Sequence, residues 1–226
     1  MNCADLVLAT SISLTYNYAQ KYYGIVHKNI HYWPNCVDLN IWNIDKIGTT
    51  IKQGPIVGIA GNFSLKRTDY LLLEWITSKC PDIEFEIAGN LDYNQSKPFW
   101  DKLFALGNVR YLGNIPYEKL PEIVARWAVG LVTDKIDEYS SYMHHNKVYQ
   151  YLALGIPVVS LKIHKDYEGL YPYVLLGEDY DQFSDNIYDA IEKCKNESFT
   201  KGCISMAKLN SSDLRATDFI SKITIV

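Results

Sequence analysis

Lys147 stands near the front of the run Asn146-Lys147-Val148-Tyr149-Gln150-Tyr151-Leu152-Ala153-Leu154-Gly155-Ile156-Pro157-Val158-Val159, directly after His144 and His145. Val148, Tyr151, Leu152 and the Ala153-Leu154 pair recur at helical spacing, Gly155 can take the left-handed backbone that ends a helix, and Pro157-Val158-Val159 reads as a short buried strand. The first turn of such a helix carries unpaired N–H groups and the positive end of the helix dipole. An ammonium, two imidazoles and an amide added there make a place for an anion, phosphate above all. A second cationic group lies in Gly61-Asn62-Phe63-Ser64-Leu65-Lys66-Arg67, which follows an apolar run and precedes a helical one. Gly61 lets a ligand approach the backbone, and Lys66 and Arg67 can meet phosphate oxygens, the arginine through two N–H groups at once. Two such groups suit a diphosphate.

A metal is not expected. His144 and His145 are adjacent, so on a helix they point about 100° apart, and the sequence places no third ligand beside them.

These residues need a frame to bring them together. Residues 55–60, 83–88, 109–112, 129–133, 157–159 and 173–176 read as strands of continuous apolar character. Helical patterns fall at 68–79, 96–106, 117–127, in the Lys147 segment and at 180–195, with one or two terminal helices over 199–223. Apolar strands alternating with amphipathic helices predict a Rossmann-like parallel sheet covered on both faces. Ahead of it, residues 5–10, 14–23 and 29–33 read as a strand-helix-strand appendage. In an open parallel sheet ligands lie beyond the carboxyl ends of the strands, and Gly61, Ala88-Gly89-Asn90, Leu112-Gly113 and the Lys147 segment all fall there. At Gly89 and Asn90 an ordinary turn and a ligand-facing turn fit the sequence equally.

Composition narrows the function. The 226 residues exceed one typical domain, 48% of them are hydrophobic, and the net charge is −4. That leaves ample core material and no basic run to serve a nucleic acid. Five cysteines without a C-x-x-C pair argue against a disulfide framework or a zinc cluster and suit a reducing cytoplasm. No apolar stretch reaches the roughly 20 residues of a membrane span, and the first residues lack a signal peptide's pattern. A dinucleotide dehydrogenase would need G-x-G-x-x-G with a later acid, which Gly58-Ile59-Ala60-Gly61-Asn62-Phe63 does not supply.

The Lys147 segment resembles the "P-K-(hydrophobic)-(aromatic)-E-Y-L-A-x-G-x-P-V-V" signature of retaining nucleotide-sugar-dependent glycosyltransferases of the GT-B architecture, in their C-terminal, donor-binding domain. Lys147, Tyr149, Tyr151, Leu152, Ala153, Gly155, Pro157, Val158 and Val159 fit; Asn146 stands at the family's proline and Gln150 at its glutamate. Tyr142 occupies the place of a further acid eight residues earlier. Gly61 to Arg67 is similar to the family's diphosphate loop "G-R-x-x-x-K-G", with Asn62 and Arg67 as departures. Gly113 to Leu120 resembles "G-x-V-P-x-x-E-L", and Pro34-Asn35-Cys36-Val37-Asp38 resembles "P-N-G-V-D", which enters the interdomain linker.

The resemblance implies that residues 1–50 are the tail of an N-terminal acceptor domain and its linker, and residues 51–226 the nucleotide-sugar domain. It implies a UDP- or GDP-linked sugar as substrate, no separate cofactor, and a glycan or lipid-linked acceptor held by an N-terminal domain or subunit. Work in the cytoplasm follows, with peripheral attachment to the inner membrane face through that other half. Lys147, Lys66 and Arg67 would stabilise the departing diphosphate. Gly61, Asn62, Gly89, Asn90, His145, Asn146 and Tyr149 would line the donor site, Tyr117 would stack on the base, and Gln150 would face the ribose. The departures at Tyr142 and Gln150 and the missing acceptor domain favour an alternative, a non-catalytic nucleotide-sugar-binding subunit or degenerate relative that works with a partner domain.

Overall fold

The computed structural model describes residues 4–18, 21, 24, 29–48 and 55–223. Strands β1 (Val7–Ala9) and β2 (Ile30–Tyr32) pair in parallel as a small separate sheet. The helix expected over 14–23 is described as one wide helical turn, Leu14–Tyr18; the rest of that reading lies largely outside the described residues. Helix α1 (Ile44–Ile47) is capped by Asn43, and the boundary expected at residue 50 also falls outside them.

The main sheet holds six parallel strands in the order β5-β4-β3-β6-β7-β8: β3 (Ile56–Phe63), β4 (Glu84–Leu91), β5 (Val109–Gly113), β6 (Val129–Val132), β7 (Val158–Leu161) and β8 (Val174–Gly177). The chain builds outward from β3 in one direction, then returns to β6 on its other side and builds the opposite way. The carboxyl ends of β3 and β6 therefore flank a topological switch point, where the crossovers part and leave a crevice.

Helices α2 (Tyr70–Lys79), α3 (Tyr93–Phe104), α4 (Leu120–Val124), α5 (Glu138–Ser141), α6 (Asn146–Ala153), α7 (Tyr180–Lys193), α8 (Glu197–Lys208) and α9 (Ser212–Ile223) complete the described chain. Leu72, Leu73 and Ile76 of α2, Trp100 and Leu103 of α3, and Phe183, Ile187 and Ala190 of α7 share one core with Val57, Ile59, Phe85 and Ile87. Val124 of α4, the apolar side of α6, and Cys203 and Ala207 of α8 form the other, joined by Val37 and Trp42 from the N-terminal segment. Both faces of the sheet are thus covered, as continuous apolar strands require.

Three local readings change. The strands expected to stop at Ala60 and Ala88 run on to Phe63 and Leu91, because Gly61 pairs with Gly89 and Asn62 with Asn90 in unbroken register. The loop after β3 thus begins at Ser64. The helix expected over 117–127 is a tight turn, Tyr117–Lys119, followed by α4, with Pro121 in the first turn of that helix. Helix α5, capped by the Asp137 side chain, and the turn Lys165–Leu170 were not visible as periodic patterns because each is too short to show one.

Glycines set how close the covering side chains lie to the sheet. A Cβ at Gly58 would meet the Trp127 ring at 1.8 Å, and one at Gly130 would meet the Tyr151 ring at 2.2 Å. Tyr151 lies directly against the sheet in this way, and its hydroxyl accepts a hydrogen bond from the Ala60 amide at 2.9 Å. That bond fixes α6 against the end of β3. Tyr151→Phe, which keeps the ring and orphans a buried N–H, should cost about 1–3 kcal/mol in urea unfolding; an unchanged midpoint would mean that water replaces the hydroxyl.

The N-terminal segment is fastened to the α6 side of the sheet. The Val37 amide donates to the Asn210 carbonyl at 3.1 Å and its carbonyl accepts from Ser212 at 2.9 Å. The Ile12 amide donates to Asp166 Oδ1 and the Ser11 hydroxyl to the Tyr142 carbonyl, each at 2.9 Å. Among the described residues no helix is long and apolar enough to cross a membrane.

Candidate nucleotide-sugar site

The crevice between β3 and β6 gathers groups from four elements. Gly61 and Gly89, side by side at the ends of β3 and β4, both hold positive φ, +156° and +126°. Their closeness is structural: a Cβ at Gly89 would lie 1.9 Å from the Gly61 carbonyl oxygen. Asn62 and Asn90, paired next in register, are exposed at the rim.

Helix α6 points its N-terminus at the same place. The Lys147 ammonium hangs over Gly61, 3.4 Å from where a Cβ of that residue would be. Burial lowers its pKa, the Asp134 carboxylate works against that, and the Arg67 guanidinium nearby adds to it. The bare backbone of Gly61 and two clustered cations make a surface matched to a dianion. Asn146 is exposed on the first turn of α6.

Arg67 is held in the loop Ser64–Arg67, whose end is pinned when the Arg67 carbonyl accepts from the Lys135 amide at 2.9 Å. Its Nε is buried without a hydrogen-bond partner. Lys66 points elsewhere, with its Nζ 3.9 Å from the centre of the exposed Tyr139 ring. The structure thus gathers Lys147, Arg67 and Gly61 and leaves Lys66 aside.

One turn along α6, Gln150 is 9% exposed and donates through Nε2 to the Tyr117 hydroxyl at 3.2 Å. That hydroxyl also accepts from Trp42 Nε1 at 2.9 Å. The two residues the sequence assigned to ribose and base are therefore joined, and the N-terminal segment braces them. Tyr149 lies on another side of the helix. At 2% exposure it stacks on His144, 5.6 Å between ring centres, so the expectation that it lines the donor site does not fit its position.

Beneath Lys147 lies a set of residues that the sequence reading did not join. His145, the residue capping α6, bonds through Nε2 to Asp134 Oδ2, and His164 Nε2 lies 3.3 Å from the same oxygen. Burial works to raise the Asp134 pKa, but the two imidazoles and the Lys147 charge hold it well below the usual carboxylate range. Burial pushes His145 down to about 4 against the pull of Asp134, and pushes His144 down to about 3 with repulsion from His145, His164 and Arg215. The signal available for Asp134 was an acid just past the end of an apolar strand. For His164, 19 residues beyond His145 in sequence, local pattern carried none. A more apolar hollow, bounded by Pro55, Ile83, Tyr188 and Ile191, opens elsewhere on the surface and has no paired cations.

A sequence profile of the glycosyl transferase-like family matches residues 67–218, which take in Arg67, the end of β6 and all of α6. The chain belongs to this family. No curated protein matches it, but solved glycosyltransferases share the fold of this family member. HepE from Anabaena, solved with UDP-glucose, superposes with a TM-score of 0.78 at 15% identity, over 99% of this chain and 64% of that one. Sucrose-phosphate synthase from Thermosynechococcus elongatus gives 0.76 at 16%, over 96% and 57%. The pneumococcal O-GlcNAc transferase, solved with UDP and GlcNAc, gives 0.65 at 13%, over 98% and 45%. This chain thus spans less than two thirds of the length of these relatives. The GT-B type of Rossmann-like unit implied by the sequence resemblance is the fold found.

Proposed function

We propose that this chain is the donor-binding portion of a retaining glycosyltransferase that takes a sugar from a UDP- or GDP-linked donor and passes it to a glycan or lipid-linked acceptor, in polysaccharide or cell-surface glycan biosynthesis. The observation that carries this is the Lys147 ammonium set over the bare backbone of Gly61 at the switch point, with Arg67 beside it. UDP and UDP-glucose are bound in the Anabaena relative. In this reading the diphosphate lies against Gly61 and the first turn of α6, and the ribose lies beside Gln150.

As the glycosidic bond to the sugar breaks, negative charge grows on the departing phosphate oxygen. Lys147, Arg67 and the N–H groups of α6 are already oriented toward that charge, so little reorganisation accompanies it. Lys66 would have to leave the Tyr139 ring to join them. The acceptor is held by an N-terminal domain or subunit, which would also supply any attachment to the cytoplasmic face of a membrane. A second reading, a nucleotide-sugar-binding subunit without transfer of its own, is favoured by Gln150, whose amide already bonds Tyr117 where the family carries an acid.

Calorimetry with UDP, GDP and their monophosphates tests the reading. The diphosphates should bind more tightly, and Lys147→Ala should weaken them by about 1.5–3 kcal/mol, roughly 10- to 150-fold, with a smaller loss at high salt. Equal affinity for mono- and diphosphates, or an unchanged Kd in Lys147→Ala, would return Lys147 to the status of an ordinary half-buried lysine. Turnover by the chain alone, measured with donor and acceptor, should be slight, because in this reading the acceptor is positioned by an N-terminal domain or subunit.

A further inference from the structure

We propose that Asp134, His145 and His164 form a binding site for a divalent transition-metal ion of the zinc class. The inference stands apart from the donor reading, since it rests on donor atoms beneath the crevice and not on Lys147 or Arg67.

Three observations converge. The first is the donor set: one carboxylate oxygen and two imidazole nitrogens, each side chain buried, all within 4.8 Å of one another. They come from the end of β6, the residue capping α6 and the loop after β7, and β6 and β7 are hydrogen-bonded neighbours. Ligands on such rigid elements are held in place before the ion arrives.

The second is the His164 tautomer. Its Nδ1 lies 3.1 Å from the Met143 carbonyl oxygen. A carbonyl can only accept, so Nδ1 carries a proton, and in the neutral ring the Nε2 lone pair faces inward. Metal-binding histidines are commonly tethered in this way, with the far N–H given to a backbone carbonyl.

The third is what Nε2 meets. It is buried, makes no hydrogen bond, and stands 3.3 Å from Asp134 Oδ2. When the ring is neutral, Nε2 and the carboxylate oxygen repel at that distance unless a cation bridges them, and a metal ion would take the place that a proton on Nε2 otherwise fills. Metal–ligand bonds of about 2.0–2.1 Å at a tetrahedral angle set neighbouring donors roughly 3.3 Å apart, the spacing of His164 Nε2 and Asp134 Oδ2, whereas His145 Nε2, which now bonds that oxygen directly, would draw back to admit the ion. His145 would turn its Nε2 lone pair to the same ion and keep its proton on Nδ1, so a neutral ring serves without loss of charge.

Two imidazoles and one carboxylate suit Zn²⁺, and Co²⁺ as its spectroscopic substitute, while Mg²⁺ and Ca²⁺ prefer all-oxygen shells. Three protein ligands leave a position for water or another oxygen donor. Such an ion would tie the N-terminus of α6, and with it Lys147, to the ends of β6 and β7.

The test is metal binding by the chelator-treated chain. Titration with ZnCl₂ should show uptake of one ion per chain and a raised Tm, and MgCl₂ should give neither. Asp134→Asn and His164→Gln should each weaken Zn²⁺ uptake by about 100-fold or more. X-ray absorption on the zinc-loaded wild-type protein, which needs no variant to fold, should count two imidazoles, oxygen donors and no sulfur. Absence of stoichiometric uptake by folded wild-type protein, undiminished uptake by both variants, or a sulfur-containing shell each overturns the proposal.

Discussion

Gly89→Ala should be among the most damaging single substitutions in the molecule, to stability and to ligand binding together. Its added methyl would lie 1.9 Å from the Gly61 carbonyl oxygen and 2.9 Å from the carbonyl carbon, both backbone atoms that cannot turn aside. The φ of +126° adds strain for any residue with a side chain. Overpacking and strain together amount to about 3–5 kcal/mol, a large part of the 5–15 kcal/mol by which a domain is ordinarily stable. Relief requires β3 and β4 to part at their carboxyl ends, which carries Gly61 away from Lys147. Urea unfolding should show the loss, and calorimetry should show weaker nucleoside-diphosphate binding in whatever fraction stays folded. Gly169→Ala, where a methyl meets nothing within 4 Å, serves as the control and should change little. Near-native stability in Gly89→Ala would mean that the two strands are not in contact at Gly61 in solution.

Acidification should destabilise the metal-free protein steeply between neutral pH and about pH 4. Burial holds His144 and His145 down to about 3 and 4, against about 6.5 for a free imidazole. Between those values the unfolded chain binds two protons that the folded chain refuses. Stability is therefore fully present above pH 6.5 and falls as pH drops toward the folded values. Each imidazole contributes on the order of 3 kcal/mol to the fall, and because part of each shift is their mutual repulsion, the sum is smaller than twice that. Below the usual carboxylate range Asp134 acts in the same direction, since its carboxylate is held ionised in the folded state. Denaturation midpoints measured from pH 7.5 to pH 4 should trace this fall, and His144→Asn should flatten a substantial part of it. A level profile would show that both imidazoles take up protons as readily in the folded protein as in the unfolded chain.

The sequence by itself determined the alternation of strands and helices, the stop at Gly155, and the presence of cations at two helix-opening segments. Each of these is written in neighbouring residues: apolar periodicity, a glycine free to take positive φ, and charge placed just before a helix. Lys147 was legible for that reason, because its place on the first turn of α6 follows from residues within one helix length of it.

Tertiary structure alone decided which of these groups meet. Strand order is not local, so nothing in the sequence pattern said that β3 and β6 flank the switch point, or that Gly61 and Gly89 would lie in register and lengthen both strands. Nor does sequence spacing tell which way a side chain of α6 faces once its apolar side has docked. Packing sent Tyr149 into the core against His144 and left Gln150 beside Tyr117, a contact that Trp42 braces from more than 70 residues away. The union of Asp134, His145 and His164 has the same origin. Two of its members sit past the ends of neighbouring strands and the third caps the helix between them, so only strand pairing and helix docking could bring them to one oxygen atom.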